Sequence, residues 1–137
     1  MKTYFHGSYE QLPVGTILKP KENYEEIWGE TDFYFVLEKY RPQHLLPHKE
    51  SVFMCDNPQD IDNTGGGTDW LFTVLPDEYI QKHDQSWCSE ISLLIDNDEN
   101  QELIEQYAFN YWNGISSENP VWEYLTKQAK IIVVEEY

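Results

Sequence analysis

Val121-Trp122-Glu123-Tyr124-Leu125-Thr126-Lys127-Gln128-Ala129-Lys130-Ile131-Ile132-Val133-Val134, near the end of the chain, reads as two strands in succession. An apolar and aromatic run over 121–125 is followed by the polar break Thr126-Lys127-Gln128. The β-branched run from Lys130 to Val134 then forms a terminal strand. Alternation along the first strand turns Glu123 to the face opposite Trp122 and Tyr124, so one face is aromatic and the other carries a single carboxylate.

Working outward, the clearest helix runs from about Asp98 to Asn113, with Leu103, Ile104, Tyr107, Ala108 and Tyr111 as its apolar stripe and Asn113-Gly114 as its stop. Phe33, Val36, Leu37 and Tyr40 repeat at helical spacing and predict a second helix over Thr31–Tyr40, ended by Arg41-Pro42. A brief strand is expected in Tyr4–Ser8, running onto a glycine turn, a tight turn and short strand within Leu12–Pro20, and further strands at Ser51–Cys55 and Asp69–Leu75. In the last of these, Trp70, Phe72 and Val74 share a face. Ile80–Ile95 is ambiguous between strand and helix, with Ile91-Ser92-Leu93-Leu94-Ile95 favouring a strand. Asp60–Thr68, containing Gly65-Gly66-Gly67, reads as a mobile loop. The pattern is α+β: a single compact domain over 1–137, with small antiparallel sheets packed against two or more helices.

The 137 residues carry 25 Asp plus Glu against 9 Lys plus Arg, a formal net charge of −16. Bulk binding to a nucleic-acid backbone is not expected, because that affinity rests on Lys and Arg displacing counterions. The charge favours a basic protein partner, or a surface that mimics nucleic acid; it also serves simple solubility. Aromatic residues make up 15% of the chain, enough to line a groove as well as fill a core. Cys55 and Cys88 have no paired spacing, which suits a reducing cytoplasm. No leader opens the sequence, and no apolar run approaches the roughly 20 residues of a membrane span.

Three short segments carry chemistry. Tyr4-Phe5-His6-Gly7-Ser8 delivers a histidine onto a glycine, where a ligand can approach the main chain closely. Ser51-Val52-Phe53-Met54-Cys55 supplies a central aromatic strand, and Val121–Leu125 supplies Glu123. This order resembles the ADP-ribosyltransferase superfamily, in particular its His-Tyr-Glu branch. The resemblance implies a fold that holds NAD, as a substrate, in a cleft between sheets. It implies cleavage of the nicotinamide–ribose bond and transfer of ADP-ribose to a macromolecular acceptor or to water. His6 would bind the NAD ribose, the backbone beside it at Gly7 the nicotinamide amide, and Phe53 would stack on the nicotinamide ring. Glu123 would stabilise the positive charge that develops on the ribose. Ser8 matches the small hydroxyl residue that follows the histidine, and Ser51 opens the central strand.

Two departures from the family are informative. Phe53 stands where the branch has Tyr, which keeps the stacking and loses the phenolic hydrogen bond. Val121 stands two residues before Glu123, where the arginine-modifying branch has an acid or amide, so arginine modification is disfavoured.

Arg41, with His44 and His48, is a candidate for the pyrophosphate, since the guanidinium binds phosphate oxygens in pairs. His44, His48 and His83 have no zinc spacing, and no metal site is expected. Gly65-Gly66-Gly67 has neither a dinucleotide-binding nor a Walker spacing. His83, Asp84, Trp87 and Glu90 form a polar and aromatic cluster without an assigned role. The rival to an enzyme is an acidic, non-enzymatic binding or inhibitor protein, either a nucleic-acid mimic or an inactive transferase fold.

Overall fold

The computed structural model of the protein describes residues 2–29, 31–97 and 100–137. In chain order the strands are β1 (Tyr4–Ser8), β2 (Ile17–Leu18), β3 (Val52–Met54), β4 (Trp70–Pro76), β5 (Ile80–Asp84), β6 (Trp122–Thr126) and β7 (Ala129–Glu136). The helices are α1 (Tyr24–Trp28), α2 (Asp32–Tyr40), α3 (Ser86–Asp96) and α4 (Gln101–Trp112). Every strand pairing is antiparallel, in a four-stranded sheet ordered β1-β4-β7-β2 and a three-stranded sheet ordered β3-β6-β5.

The stretch Val121–Val134 therefore crosses from one sheet to the other. β6 is the middle strand of the smaller sheet, and after the break at Lys127-Gln128 the chain enters β7 of the larger one. Period-2 alternation sets the contacts between the sheets. Phe72 and Val74 of β4 and Ile131 of β7 are fully buried, and they pack with Tyr4, Val52, Met54, Tyr124 and Ala129 into one core between the two sheets. Each such apolar side chain contributes roughly 1.5–3 kcal/mol on burial. Opposite Thr73 and Val74 the partners are Val133 and Ile131, so Ile132 is an extra residue that bulges β7.

A second core is helical. Val36 and Leu37 of α2, Cys88 and Ile91 of α3, and Ile104, Ala108, Tyr111 and Trp112 of α4 enclose it. α2 begins after Thr31 and stops at Arg41, whose extended backbone is what a following proline demands. Asn100 caps α4 by accepting the Glu102 N–H at 2.7 Å; the earlier start expected at Asp98 lies outside the described residues.

Several expectations are corrected. Ile91–Ile95 is part of α3, because Cys88, Ile91 and Leu94-Ile95 follow a helical period against α2 and α4. The expected loop over 60–68 overlaps a 3₁₀ turn, Pro58–Thr64, capped by Asn57 and ended by Gly65 at φ +79°. α1 is a helix that no sequence signal announces. Leu103, assigned to the buried stripe of α4, is 38% exposed, and the stripe continues through Trp112 instead.

Candidate active site

Among the described residues, one isolated backbone bridge links the two sheets. Phe5 and Cys55 exchange N–H···O bonds of 2.8 and 2.9 Å, joining β1 of the larger sheet to the end of β3 in the smaller. Next to this seam lies a cavity of about 550 Å³. Its walls include His6 and Ser8 from β1, Ser51 and Phe53 from the β3 segment, and Glu123 from β6. Residues more than a hundred positions apart in sequence thus line one space, within the usual size range of a small-molecule site.

His6 is held by its Nδ1–H, which donates to the Phe53 carbonyl at 2.7 Å. That bond leaves Nε2 as the acceptor, and it lies beside Gly66, where a Cβ would come within 3.0 Å of it. Burial lowers the pKa of His6, partly offset by the Phe53 carbonyl and reinforced by the charge of Lys21, so the ring is a neutral acceptor. Ser8 Oγ donates to the Glu10 carbonyl, and Ser51 Oγ to that of Pro47, so both hydroxyls already have acceptors.

Gly7 does not line the cavity, and its N–H donates to Thr64 Oγ1 at 3.0 Å. A Cβ on Gly7 would sit 2.1 Å from the Gly67 carbonyl, and one on Gly66 would sit 2.1 Å from the Gly7 carbonyl. Glycine is required at both because two backbones touch there. The backbone group that the resemblance reserves for a carboxamide is therefore occupied by the 58–67 segment, a correction to the binding role expected of Gly7. Arg41 is corrected as well. It stands outside the cavity at the end of α2, with Nε on Glu38 at 3.3 Å and Nη1 on the Leu45 carbonyl at 2.8 Å. The cations that do line the cavity are Lys19 and Lys21, the latter with Nζ on the Gly65 carbonyl at 2.6 Å.

Glu123 is 5% exposed and turned away from Trp122 and Tyr124, toward α4. Tyr111 Oη donates to its Oε2. The same Tyr111 oxygen lies 2.6 Å from His48 Nε2, and His48 Nδ1 lies 3.3 Å from Tyr24 Oη. Burial pushes the Glu123 carboxyl up to about 7, the Tyr111 hydrogen bond opposes that rise, and the charge of Asp84 adds to it. Burial likewise pushes His48 down to about 3, helped by His83 and Arg41, so the imidazole is neutral. The carboxylate is thus poised near neutrality at the foot of a neutral hydrogen-bonded chain.

Beneath this chain, His83 stacks on Tyr111 with ring centroids 4.6 Å apart and donates from Nδ1 to the Tyr111 carbonyl at 2.8 Å. Gln81 Nε2 donates to the remaining His83 nitrogen at 3.0 Å. His83 is the cross-strand partner of Glu123. Asp84 accepts the N–H groups of Ser86 and Val121 on one oxygen and of Ser117 on the other, at 3.0, 2.9 and 2.6 Å. Burial would raise this carboxyl, yet those bonds hold it below the usual range. Asp84 therefore ties the loop preceding β6 to the start of α3 and sets the approach to Glu123. Trp87 fastens the same loop from Nε1 to the Ile115 carbonyl at 2.7 Å.

No family model, curated protein or solved structure matches this chain. The functional reading rests on the site itself. Sequence reasoning did not connect Tyr24 or Tyr111 to the site and cast His48 as a phosphate contact. One signal was available: a tyrosine on the apolar stripe of a helix needs a buried partner for its hydroxyl. Among the described residues no group of three or more His, Cys, Asp or Glu side chains could hold a metal ion, and no helix is long and apolar enough to cross a membrane.

Proposed function

We propose that the chain is an NAD-dependent ADP-ribosyltransferase, which cleaves the nicotinamide–ribose bond and transfers ADP-ribose to a macromolecular acceptor. The observation that carries this reading is that His6, Phe53 and Glu123, three ordered elements of the family resemblance, line one cavity at the junction of two sheets. In this reading Phe53 stacks on the nicotinamide ring and the neutral Nε2 of His6 accepts from a ribose hydroxyl. Lys19 and Lys21, rather than Arg41, are the positive charges available to the pyrophosphate. As the bond to nicotinamide stretches, the electron pair leaves with the ring nitrogen and positive charge builds on the ribose. The Glu123 carboxylate stabilises that charge. The net charge of −16 favours a basic protein as acceptor, and the two free buried cysteines fit a reducing compartment such as the cytoplasm.

A second reading, an acidic binding protein on an inactive transferase fold, draws on the occupied Gly7 N–H and on the phenylalanine at position 53. Incubation with labelled NAD and a cell lysate separates the two. The enzyme releases nicotinamide and labels a protein, and Glu123→Gln abolishes both. If wild-type protein leaves NAD intact while capturing a basic partner in a salt-sensitive manner, the transferase reading is refuted.

A further inference from the structure

A tyrosine hydroxyl has one hydrogen, so Tyr111 Oη cannot donate to Glu123 Oε2 and to His48 Nε2 at once. The row of contacts from Tyr24 to Glu123 therefore has two complete arrangements. With Glu123 ionised, Tyr111 donates to the carboxylate, His48 carries its proton on Nε2 and donates to Tyr111, and Tyr24 donates to Nδ1. With Glu123 protonated on Oε2, every bond reverses: the acid donates to Tyr111, Tyr111 to Nε2, and a proton on Nδ1 faces Tyr24. The two arrangements differ by one proton, and His48 is neutral in both. Tyr24, His48 and Glu123 line the cavity, whereas Tyr111 is fully buried.

We propose that Tyr24, His48, Tyr111 and Glu123 form a reversible proton relay that leaves the cavity at Glu123, passes beneath its wall and returns to it at Tyr24. The relay rests on the transferase reading for its use. That reading needs Glu123 ionised when positive charge builds on the ribose. From the protonated arrangement Glu123 passes its proton to Tyr111 as Tyr111 passes its own to Nε2, Nδ1 passes its proton to Tyr24, and Tyr24 releases one to water in the cavity. One proton leaves, the four side chains are left in their ionised arrangement, and uptake of a proton at Tyr24 runs every transfer backwards. Tyr111 and His48 touch no substrate in this scheme and act by carrying the proton and positioning Glu123.

The groups facing the relay leave Glu123 as the one that changes charge near neutrality. Tyr34 from α2 is pushed up to about 12, and Cys88 from α3 is raised by burial, so both stay protonated. Asp84 and His83 from β5 stay ionised and neutral respectively, since one is held low by backbone N–H groups and the other is pushed down to about 4 by burial. Arg41, beyond α2, is a fixed cation.

Histidine side-chain ¹⁵N–¹H NMR on the full-length protein, from pH 5.5 to 8.5, tests the relay without any NAD. With four histidines in the chain, the spectrum is readily assigned. The expected result is that the His48 proton moves from Nδ1 at low pH to Nε2 at high pH, with a midpoint near neutrality and no imidazolium. Tyr111→Phe, which retains the ring, should fix His48 in one tautomer, while unchanged His83 and His6 signals show that the fold is intact. A single His48 tautomer throughout in the wild type, or an undiminished switch in Tyr111→Phe, overturns the relay. A His48 that switches in a protein that never consumes NAD upholds the relay and overturns only the transferase reading.

Discussion

Replacing Glu123 by glutamine should make the protein more stable and less active at once. The carboxyl titrates at about 7 when folded against an ordinary 4.5, because burial disfavours its charge. A raised folded pKa means that between pH 4.5 and 7 the folded protein keeps a proton that the unfolded chain has released. Stability from this group is therefore full below pH 4.5 and is lost as pH rises through 7. The 2.5-unit difference corresponds to about 3 kcal/mol at roughly 1.4 kcal/mol per unit. Glutamine has nearly the same shape and no charge to bury. The stability gap between Glu123→Gln and wild type should then widen by about 3 kcal/mol from pH 4.5 to 7, some 10 °C in melting temperature for a domain of this size, and stay constant above. Comparing the two proteins at each pH cancels the titration of distant groups. Under the transferase reading, turnover falls on the order of 100-fold or more in the same variant, since the preorganised negative charge is gone. Urea melts at half-unit pH steps measure the first effect and nicotinamide release the second. A stability gap that does not change with pH would refute the claim that Glu123 is buried at a cost in its charged form.

Acid should act on His48 and His83 in the opposite sense, because their folded pKa values of about 3 and 4 lie below the ordinary 6.5. As pH falls from 6.5 to 4.5 the unfolded chain takes up protons that both rings refuse, a loss of roughly 5 kcal/mol that the gain at Glu123 only half offsets. The urea midpoint should therefore drop over that range, and a level midpoint contradicts the neutral assignment of the rings. Gly66→Ala should lower stability by about 1–3 kcal/mol, because its Cβ would meet the Gly7 carbonyl, a backbone atom unable to swing aside. A thermal melt identical to wild type rules out that close approach.

The elements legible in the sequence are those whose periodicity is long or whose ends are marked. β4 and β7 are long apolar runs bounded by polar or proline residues, Pro42 marks the end of α2, and Gly114 follows the end of α4. α3 was misread because Ile91-Ser92-Leu93-Leu94-Ile95 viewed alone is a short apolar run, which strand and helix share. Only by including Cys88, three residues upstream, does the helical period show. The site was legible as three residues in order, yet its supports were not. His48 and Tyr111 lie 63 positions apart, and nothing local to either announces a shared hydrogen bond. Arg41 was misplaced for a related reason: its charge suggested phosphate, whereas the turn that ends α2 directs it back onto Glu38 and Leu45.

The rung between Phe5 and Cys55 places the cavity at a joint between two separately hydrogen-bonded plates. His6 rides on one plate, and Phe53 and Glu123 ride on the other. The gap between them is held by that rung, by the His6–Phe53 hydrogen bond that crosses it and by the core the two plates share, so the spacing of the three side chains should persist for as long as that core does.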